Sequence, residues 1–529
     1  MPAWLALFVG AILFAAGYAL ADRFQLTHSV LYRAAANDYP NAIGNLIWLA
    51  IQAAMLLAAM VLLSRKLFVL AMGLVTASVF ANLSYGMTVN DLLDASKVSW
   101  LLAEARHARD AVGQLTFDFG LAVLQAAGAV ILFILARRVI RSQVWAPQGR
   151  LANAWGAILI VIPTIIHGAT GLHPLSAERN IYSHGVELAF ADKAPARRNV
   201  DLTPDTTRAP RHIVWLIDES IAFKPFAGLI APRLEAIDHV DFGLSTSFSN
   251  CSAPSNVALR SGVDVDAVSG TTDLRTTPTI WSYARAAGYR TVLIDGQTNG
   301  PPQNLLLEPE RALIDEMLPL AGGMDTDLHI ADVLNRRLRS ERPSFTYVYL
   351  RGVHFQYRDH FPPGSVPPAS PQKIQYEAAL KHSKSKFFST LLKGVDREQV
   401  AIVYTSDHGQ NLAEGVLPHC GRHAVSEEFH VPLLAFLPDV LAQRYASAEG
   451  PRAASQIFPS TLIWMGFGKD AVTSRYDNEL DIAPLRYVRF GRNVFPISQG
   501  AQIDVEISEA FPSAERHLSL RGQAKATGR

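Results

Sequence analysis

Apolar and polar positions are arranged in two different ways along this chain. Over residues 1–172 the apolar residues form five long stretches, at about 3–21, 42–63, 67–85, 117–136 and 152–172. Each is near the roughly 20 residues that a helix needs to cross a bilayer. Several in series within a fairly polar chain predict a membrane domain of about five helices rather than buried soluble ones. The first stretch lacks a basic leader and reads as a retained span, not a cleaved signal. From His212 onward the pattern is different. Short apolar runs at 213–217, 291–294, 345–350 and 401–404 alternate with helix-like stretches at 276–287, 327–340 and 372–394. Repeated strand-then-helix units predict an α/β domain with a mostly parallel sheet flanked by helices. The polar, proline-bearing segment 173–210 has little periodicity and is expected to be a juxtamembrane linker. The globular domain is expected over 211–505, followed by a frayed tail over 506–529.

Charge orients the first part. Arg137, Arg138, Arg141 and Arg150 lie between the fourth and fifth spans without an acid, and Arg65 and Lys66 mark the turn between the second and third. Under the positive-inside rule both connections are cytoplasmic. Counting through, the N-terminus is cytoplasmic and everything after about residue 173 lies outside. Trp4, Trp48, Trp100 and Trp155 sit near span ends, as interfacial aromatics do. The formal net charge of +1 gives no reason to propose a nucleic-acid partner.

The candidate chemistry lies where the short apolar runs end. The run at 401–404 turns polar at Thr405-Ser406-Asp407-His408-Gly409, as a buried parallel strand does at the carboxyl edge where open α/β sheets bind ligands. Asp407 and His408 supply an oxygen donor and an imidazole, the start of a zinc site. Other runs end at Asp218-Glu219-Ser220, at Asp295-Gly296 and at Arg351-Gly352-Val353-His354. Between them, Ser249-Asn250-Cys251-Ser252-Ala253-Pro254-Ser255-Asn256 leads into a short helical pattern closed by Gly262. Pro254 is expected at the first helical position with a serine capping it. A hydroxyl held there would meet free N–H groups and the helix dipole, where a phosphate or sulfate group binds.

The order strand-DES, SNCSAPSNVALRSG, GVHFQYRDHFP and TSDHGQNLAEG resembles the alkaline-phosphatase/sulfatase superfamily. Within it the chain is most similar to the membrane-bound phosphoethanolamine transferases. Those proteins have a five-span amino-terminal domain and a periplasmic sulfatase-like domain, so the resemblance covers most of the chain. TSDHG matches completely; LPHCG, containing His419, resembles the second histidine segment, and Glu427-Glu428-Phe429-His430-Val431-Pro432 resembles the acid that precedes a Val-Pro strand entry.

The resemblance implies an enzyme that moves phosphoethanolamine, or a similar phospho-alcohol group, from a membrane phospholipid such as phosphatidylethanolamine to lipid A or another envelope glycan. Lipopolysaccharide modification through a covalent phospho-serine is thus the expected reaction. The alternative is a membrane-anchored phosphate- or sulfate-ester hydrolase of the same superfamily. The implied place is the bacterial inner membrane, multi-pass, with the catalytic domain in the periplasm. Glu219, Asp407 and His408 would hold one or two zinc ions, or another divalent metal, with Asp218 as an extra ligand. His354 and His419 would bind the phosphate, protonate the leaving group or hold a second metal. Either Ser252 or Ser255 would be the nucleophile. Spacing as in sulfatases points to Ser252, and counting from the cysteine points to Ser255. Asn256 stands where sulfatases carry arginine, against formylglycine and against a sulfatase proper. The chain departs from the transferases in having only Cys251 and Cys420. A disulfide joining the nucleophile and histidine loops is one expectation, and two buried free thiols the other. His360, His382, His423 and His430 are expected as surface or packing histidines, with His423 the best further candidate. The basic run 381–386 is expected to be a solvated helix face.

Overall fold

A computed structural model describes residues 2–35, 39–89, 92–95, 97–99, 116–143, 149–172, 174–190, 195–263, 274–299, 302–354, 356–367, 369–414, 418–420, 424–476, 478–484, 486–490 and 493–497. Trp100, His423 and the tail over 506–529 lie outside the described residues. The chain divides into two compact units, Met1–Lys193 and Ala194–Arg529.

Among the described residues, unit one has five helices long and apolar enough to cross a membrane: Ala3–Ala21, Tyr39–Leu62, Arg65–Met87, Phe119–Arg141 and Arg150–Thr170. Small residues bring two of them together. A Cβ on Gly17 would lie 3.0 Å from the Ala129 carbonyl oxygen, and Ala122, Ala126, Ala129 and Ala136 are buried along the facing helix. Such close backbone approach holds helices together where lipid removes the hydrophobic drive between them. Phe8, Ile12, Leu124, Ile131 and Val161 point outward and are exposed, a surface that suits hydrocarbon and not water. Arg137 donates from Nε to the Met60 carbonyl and from Nη2 to the Leu63 carbonyl, both at 2.6 Å. These satisfy carbonyls that the end of Tyr39–Leu62 leaves open.

Within 173–210, where little periodicity is visible, the structure has a helix, Asn180–Phe190, packed on Arg150–Thr170. The backbone leading to it is committed to buried hydrogen bonds: Gln52 Nε2 donates to the Pro174 carbonyl at 3.0 Å, and Ser78 Oγ to that of Ala177 at 2.6 Å. Further along, Asp205 N bonds to the Gly466 carbonyl at 2.9 Å, within unit two.

Unit two is an α/β domain built on an eight-stranded mixed sheet. Its strands are β1 (His212–Asp218), β2 (Val240–Thr246), β3 (Arg290–Asp295), β4 (Glu316–Pro319), β5 (Ser344–Tyr349), β6 (Val400–Ser406), β7 (His430–Phe436) and β8 (Arg452–Ala453). Their order is β4-β3-β5-β1-β6-β7-β2-β8, with β7 antiparallel to both β6 and β2. The central strands are buried on both faces, which is why they read as unbroken apolar runs. Ile213, Trp215 and Ile217 join Phe345, Tyr347 and Phe458 on one face; Val214 and Leu216 join Val348, Ile402 and Tyr404 on the other. The runs expected at 213–217, 291–294, 345–350 and 401–404 are all strands. β2 shows no such run because it carries Asp241 and Gly243 at a bulge, Gly243 having φ of 67°.

Replacing Gly17 by Leu should push the two packed helices of unit one apart and lower the protein's thermal midpoint in detergent, on the scale of about 1–3 kcal/mol. Gly44, beside which a Cβ meets nothing within 4 Å, should accept the same substitution without loss.

Candidate functional site

Strand register brings the candidate residues to one edge. Asp218 pairs with Ser406 and Ile217 with Tyr349, so β1, β6 and β5 finish side by side. Glu219 follows β1, Asp407 and His408 follow β6, and the turn Arg351–His354 follows β5. The Asp407 N–H donates to the Asp218 carbonyl at 3.0 Å, and that of Val353 to the Glu219 carbonyl at 3.0 Å. Gly352 makes the second approach possible: its φ is 58°, and a Cβ there would lie 2.2 Å from the Glu219 carbonyl oxygen. β2 ends at the same edge, Thr246 opposite His430 of β7, and the chain continues into the helix Ser252–Ser261. That helix starts two residues before the expected Pro254, with Cys251 as its N-cap. Pro254 falls within the first turn, where its missing N–H is not needed.

Ser252, the first helical residue, reaches the centre. Its Oγ lies 3.3 and 3.2 Å from the two Glu219 carboxylate oxygens and 3.2 Å from His408 Nε2. His408 Nε2 is 3.3 Å from Glu219 Oε1 and 3.8 Å from Asp407 Oδ1. Its Nδ1 lies 2.8 Å from the Gly409 carbonyl oxygen and donates to it, which fixes the ring with Nε2 turned toward the centre. Glu219, His408 and His419 each offer one ligand atom within 4.8 Å of the others. Asp407 Oδ1 accepts from the Ser220 and His408 N–H groups, at 3.2 and 2.8 Å. Its Oδ2 is buried with no hydrogen-bond partner among the described residues.

Two buried carboxylates facing one imidazole leave negative charge in excess. Burial and the neighbouring Glu219 push Asp407 up to about 7. His408 is pushed up to about 9, because Asp407 and Glu219 outweigh burial. Burial also works against the Glu219 carboxylate, but the His408 hydrogen bond and charge hold it well below the ordinary range. An orphaned carboxylate oxygen, a second carboxylate, an available imidazole nitrogen and a hydroxyl form a donor set that fits a small divalent cation.

His419 is partly buried, its ring 4.3 Å from that of His408 and 5.7 Å from that of His354. Burial and these two imidazoles hold it well below the usual histidine range. His354 is exposed at the rim. Cys251 and Cys420 are joined in a disulfide that closes 169 residues of chain and staples Ser252's loop to that of His419. Two expected residues are turned elsewhere. Ser255 is buried, its Oγ donating to the Ser249 carbonyl and accepting from the Ser249 N–H, both at 3.1 Å. It fixes the loop before the helix and does not face the centre. The Asp218 side chain points behind the edge, where Tyr404 Oη donates to Oδ2 at 2.6 Å and Lys384 Nζ lies 2.8 Å away. Its expected place as an extra ligand is thus already taken by hydrogen-bonding partners. His360 is packed with Nδ1 3.0 Å from the Gly352 carbonyl oxygen, and His382 pairs with Asp325 at 2.9 Å.

Several supporting residues are not legible in the sequence. Gln297 donates from Nε2 to Glu219 Oε2 at 3.0 Å. Asn256 holds the first turn of the serine's helix, donating to the Ser252 carbonyl at 2.9 Å and accepting from Tyr347 Oη at 2.7 Å. Lys384 comes from the run expected to be a solvated helix face, yet it is fully buried. Its ammonium lies 2.8 Å from Asp218 and 2.7 Å from Asp327, and Asp327 accepts the N–H groups of Arg351 and Gly352 at 2.8 and 3.2 Å. One cation thereby ties the Glu219 strand end to the His354 turn. Its only sequence signal was a lysine four residues beyond a buried helical position, which surface lysines share.

A sulfatase family model matches residues 242–467. Curated proteins give no sequence match. The chain is similar in structure to the integral membrane lipooligosaccharide phosphoethanolamine transferase A (EptA) from Neisseria meningitidis. The TM-score is 0.54 at 14% identity, covering 90% of this chain and 97% of that one. It is also similar to the C-terminal periplasmic domain of EcEptC from Escherichia coli in complex with Zn, with a TM-score of 0.46 at 16% identity, covering 60% of this chain and 98% of that one. At 14% identity the likeness to EptA is one of fold.

Replacing Lys384 by Met should leave Asp218 and Asp327 buried without their cation and cost about 3–5 kcal/mol of unfolding free energy. Adding Asp327→Asn to that variant should recover part of the loss. Denaturant unfolding of the full-length protein in detergent measures both, and equal loss in the single and double variants would exclude charge pairing as the role of Lys384.

Proposed function

We propose that this chain, built on the fold it shares with EptA, transfers phosphoethanolamine or a similar phospho-alcohol group from a membrane phospholipid to lipid A or another envelope glycan. The observation that carries the reading is the Ser252 hydroxyl, held at a helix start within 3.3 Å of Glu219 and His408 beside the orphaned oxygen of Asp407. A binding site alone needs no such hydroxyl; a covalent transfer does. Helices apolar enough to span a bilayer favour a lipid donor over a soluble ester. In this reading they lie in the bacterial inner membrane with the N-terminus cytoplasmic. The catalytic unit is then periplasmic, where a Cys251–Cys420 disulfide persists.

Glu219, Asp407, His408 and the Ser252 hydroxyl would hold a divalent ion, with zinc the best fit to a mixed carboxylate and imidazole set. When bound, such an ion lowers the pKa of a coordinated hydroxyl and neutralises charge on phosphoryl oxygens. Ser252 Oγ attacks phosphorus, the bond to the diacylglycerol oxygen breaks, and a phospho-serine is left. The proton that Ser252 Oγ loses passes to the imidazoles at the open side of the centre, His419 being held well below the usual histidine range and so free to accept it, and His354 and His419 hand it on to the departing diacylglycerol oxygen. The start of Ser252–Ser261, which no side chain caps, would offer the transferred group the positive end of the helix dipole and favour its negative charge. Asn256 and Gln297 keep the serine and Glu219 in place. Hydrolysis of the same intermediate is the competing outcome, and product analysis separates the two.

Ser252→Ala should abolish both the phospho-enzyme and the added phosphoethanolamine mass on envelope lipids, whereas Ser255→Ala should keep the reaction and lose about 1–2 kcal/mol of stability. Mass spectrometry of intact protein and lipid extracts reads this, and a phospho-enzyme surviving in Ser252→Ala would refute the assignment. Metal analysis should find a divalent ion in the purified protein and a loss of tenfold or more in affinity for it in Asp407→Ala, on the scale of about 1.4 kcal/mol per factor of ten.

A further inference from the structure

A groove of about 540 Å³ lies beside the centre, lined by the helix Phe223–Leu229, by Lys373 and Glu377, and by residues 410–413 just beyond His408. The volume falls within the roughly 300–1,000 Å³ of small-ligand sites. Groove and centre share Gln410. Its Oε1 lies 3.1 Å from His419 Nδ1, while its Nε2 is buried with no hydrogen-bond partner among the described residues.

The lining indicates what chemistry would fill it. Its charges cancel, Lys224 and Lys373 against Glu377 and Glu427, and Lys224 already lies 2.9 Å from Glu427. A phosphate-dense ligand calls for an excess of cations, and an acyl chain for walls free of charge. Here carboxamides, carboxylates and ammonium groups stand among the apolar surfaces of Phe223, Leu229 and Leu412. Donors and acceptors set over apolar patches match a sugar, which has hydroxyl edges and C–H faces.

We infer that this groove is the acceptor subsite and seats a sugar unit of the receiving glycan, with one hydroxyl presented to the phosphoryl group on Ser252. The inference rests on the transferase reading of the centre. In the second step the sugar hydroxyl oxygen forms a bond to phosphorus and the bond from phosphorus to Ser252 Oγ breaks. The proton leaving the sugar hydroxyl ends on Oγ, so the serine is regenerated and no further reactant is consumed.

Gly228 lines the groove, and a Cβ added there meets nothing within 4 Å. Gly228→Trp therefore fills the groove without displacing the core, and Gly228→Ala is its control. The exposed Lys373→Ala is a second, gentler variant. The full-length protein is placed in vesicles containing phosphatidylethanolamine. Diacylglycerol release reports the first step, and transfer to an envelope glycolipid extract or to its water-soluble glycan freed by mild acid reports the second. Gly228→Trp is expected to raise the acceptor KM at least about tenfold over Gly228→Ala for both probes, and Lys373→Ala about threefold, with the diacylglycerol burst retained. Unaltered acceptor kinetics in both variants would overturn the subsite. An effect confined to the glycolipid probe would overturn the sugar as its occupant. If the unsubstituted protein gives no diacylglycerol burst, the transferase reading itself fails instead.

Discussion

The ammonium of Lys384 lies between Asp218 and Asp327, with Tyr404 and Ser383 completing the hydrogen bonds of the two carboxylates. Burying such a group is costly, and it persists only where opposite charge and hydrogen bonds surround it. That requirement fixes three pieces of chain at once: the end of β1, the turn after β5 through the Arg351 and Gly352 N–H groups, and the helix Gln372–Lys384 that carries the lysine. Glu219 projects from the first of these and His354 from the second. The separation between them is set by an ion-pair cluster that never touches the centre.

On the other side of the sheet edge the balance is deliberately incomplete. Asp218 and Asp327 have their cation; Glu219 and Asp407 face one imidazole and an orphaned oxygen remains. Burial penalises that excess charge, so the centre favours whatever positive ion it can admit. Ser252 shares the same few ångströms because two constraints converge on its loop, the register of β2 with β7 and the Cys251–Cys420 bridge. Ser255, three residues on, is used to hold the loop in place.

Unit one follows a different logic. Its helices keep apolar side chains on their outer surface and place glycine and alanine where they meet, as expected where close packing and not water drives association. Gln52 and Ser78, buried among these helices, are bonded to the backbone of the segment ahead of Asn180–Phe190. That use of polar residues explains why a segment that reads as a solvated linker contains a packed helix.

The spans, the alternation of strand and helix, and the strand ends that carry Glu219, Asp407 and His408 were legible in the sequence alone. Each depends on local pattern: length of an apolar run, or an abrupt polar end to a buried strand. The choice between Ser252 and Ser255 was not legible, because both are small hydroxyl residues near one helix start and differ only in which way the turn points them. Asp218 next to Glu219 posed the same difficulty, since adjacent residues at a strand end project to opposite sides, and only the packing shows which side holds the buried lysine. Lys384, Gln297 and β2 were hidden for a related reason: burial of a charge, a distant hydrogen bond and a bulged edge are properties of the assembled sheet. The strand that ends in Asp407 and His408 was thus determined by the sequence, while the tertiary structure decided which hydroxyl and which carboxylates face it, because that depends on register and on where buried charge finds its partner.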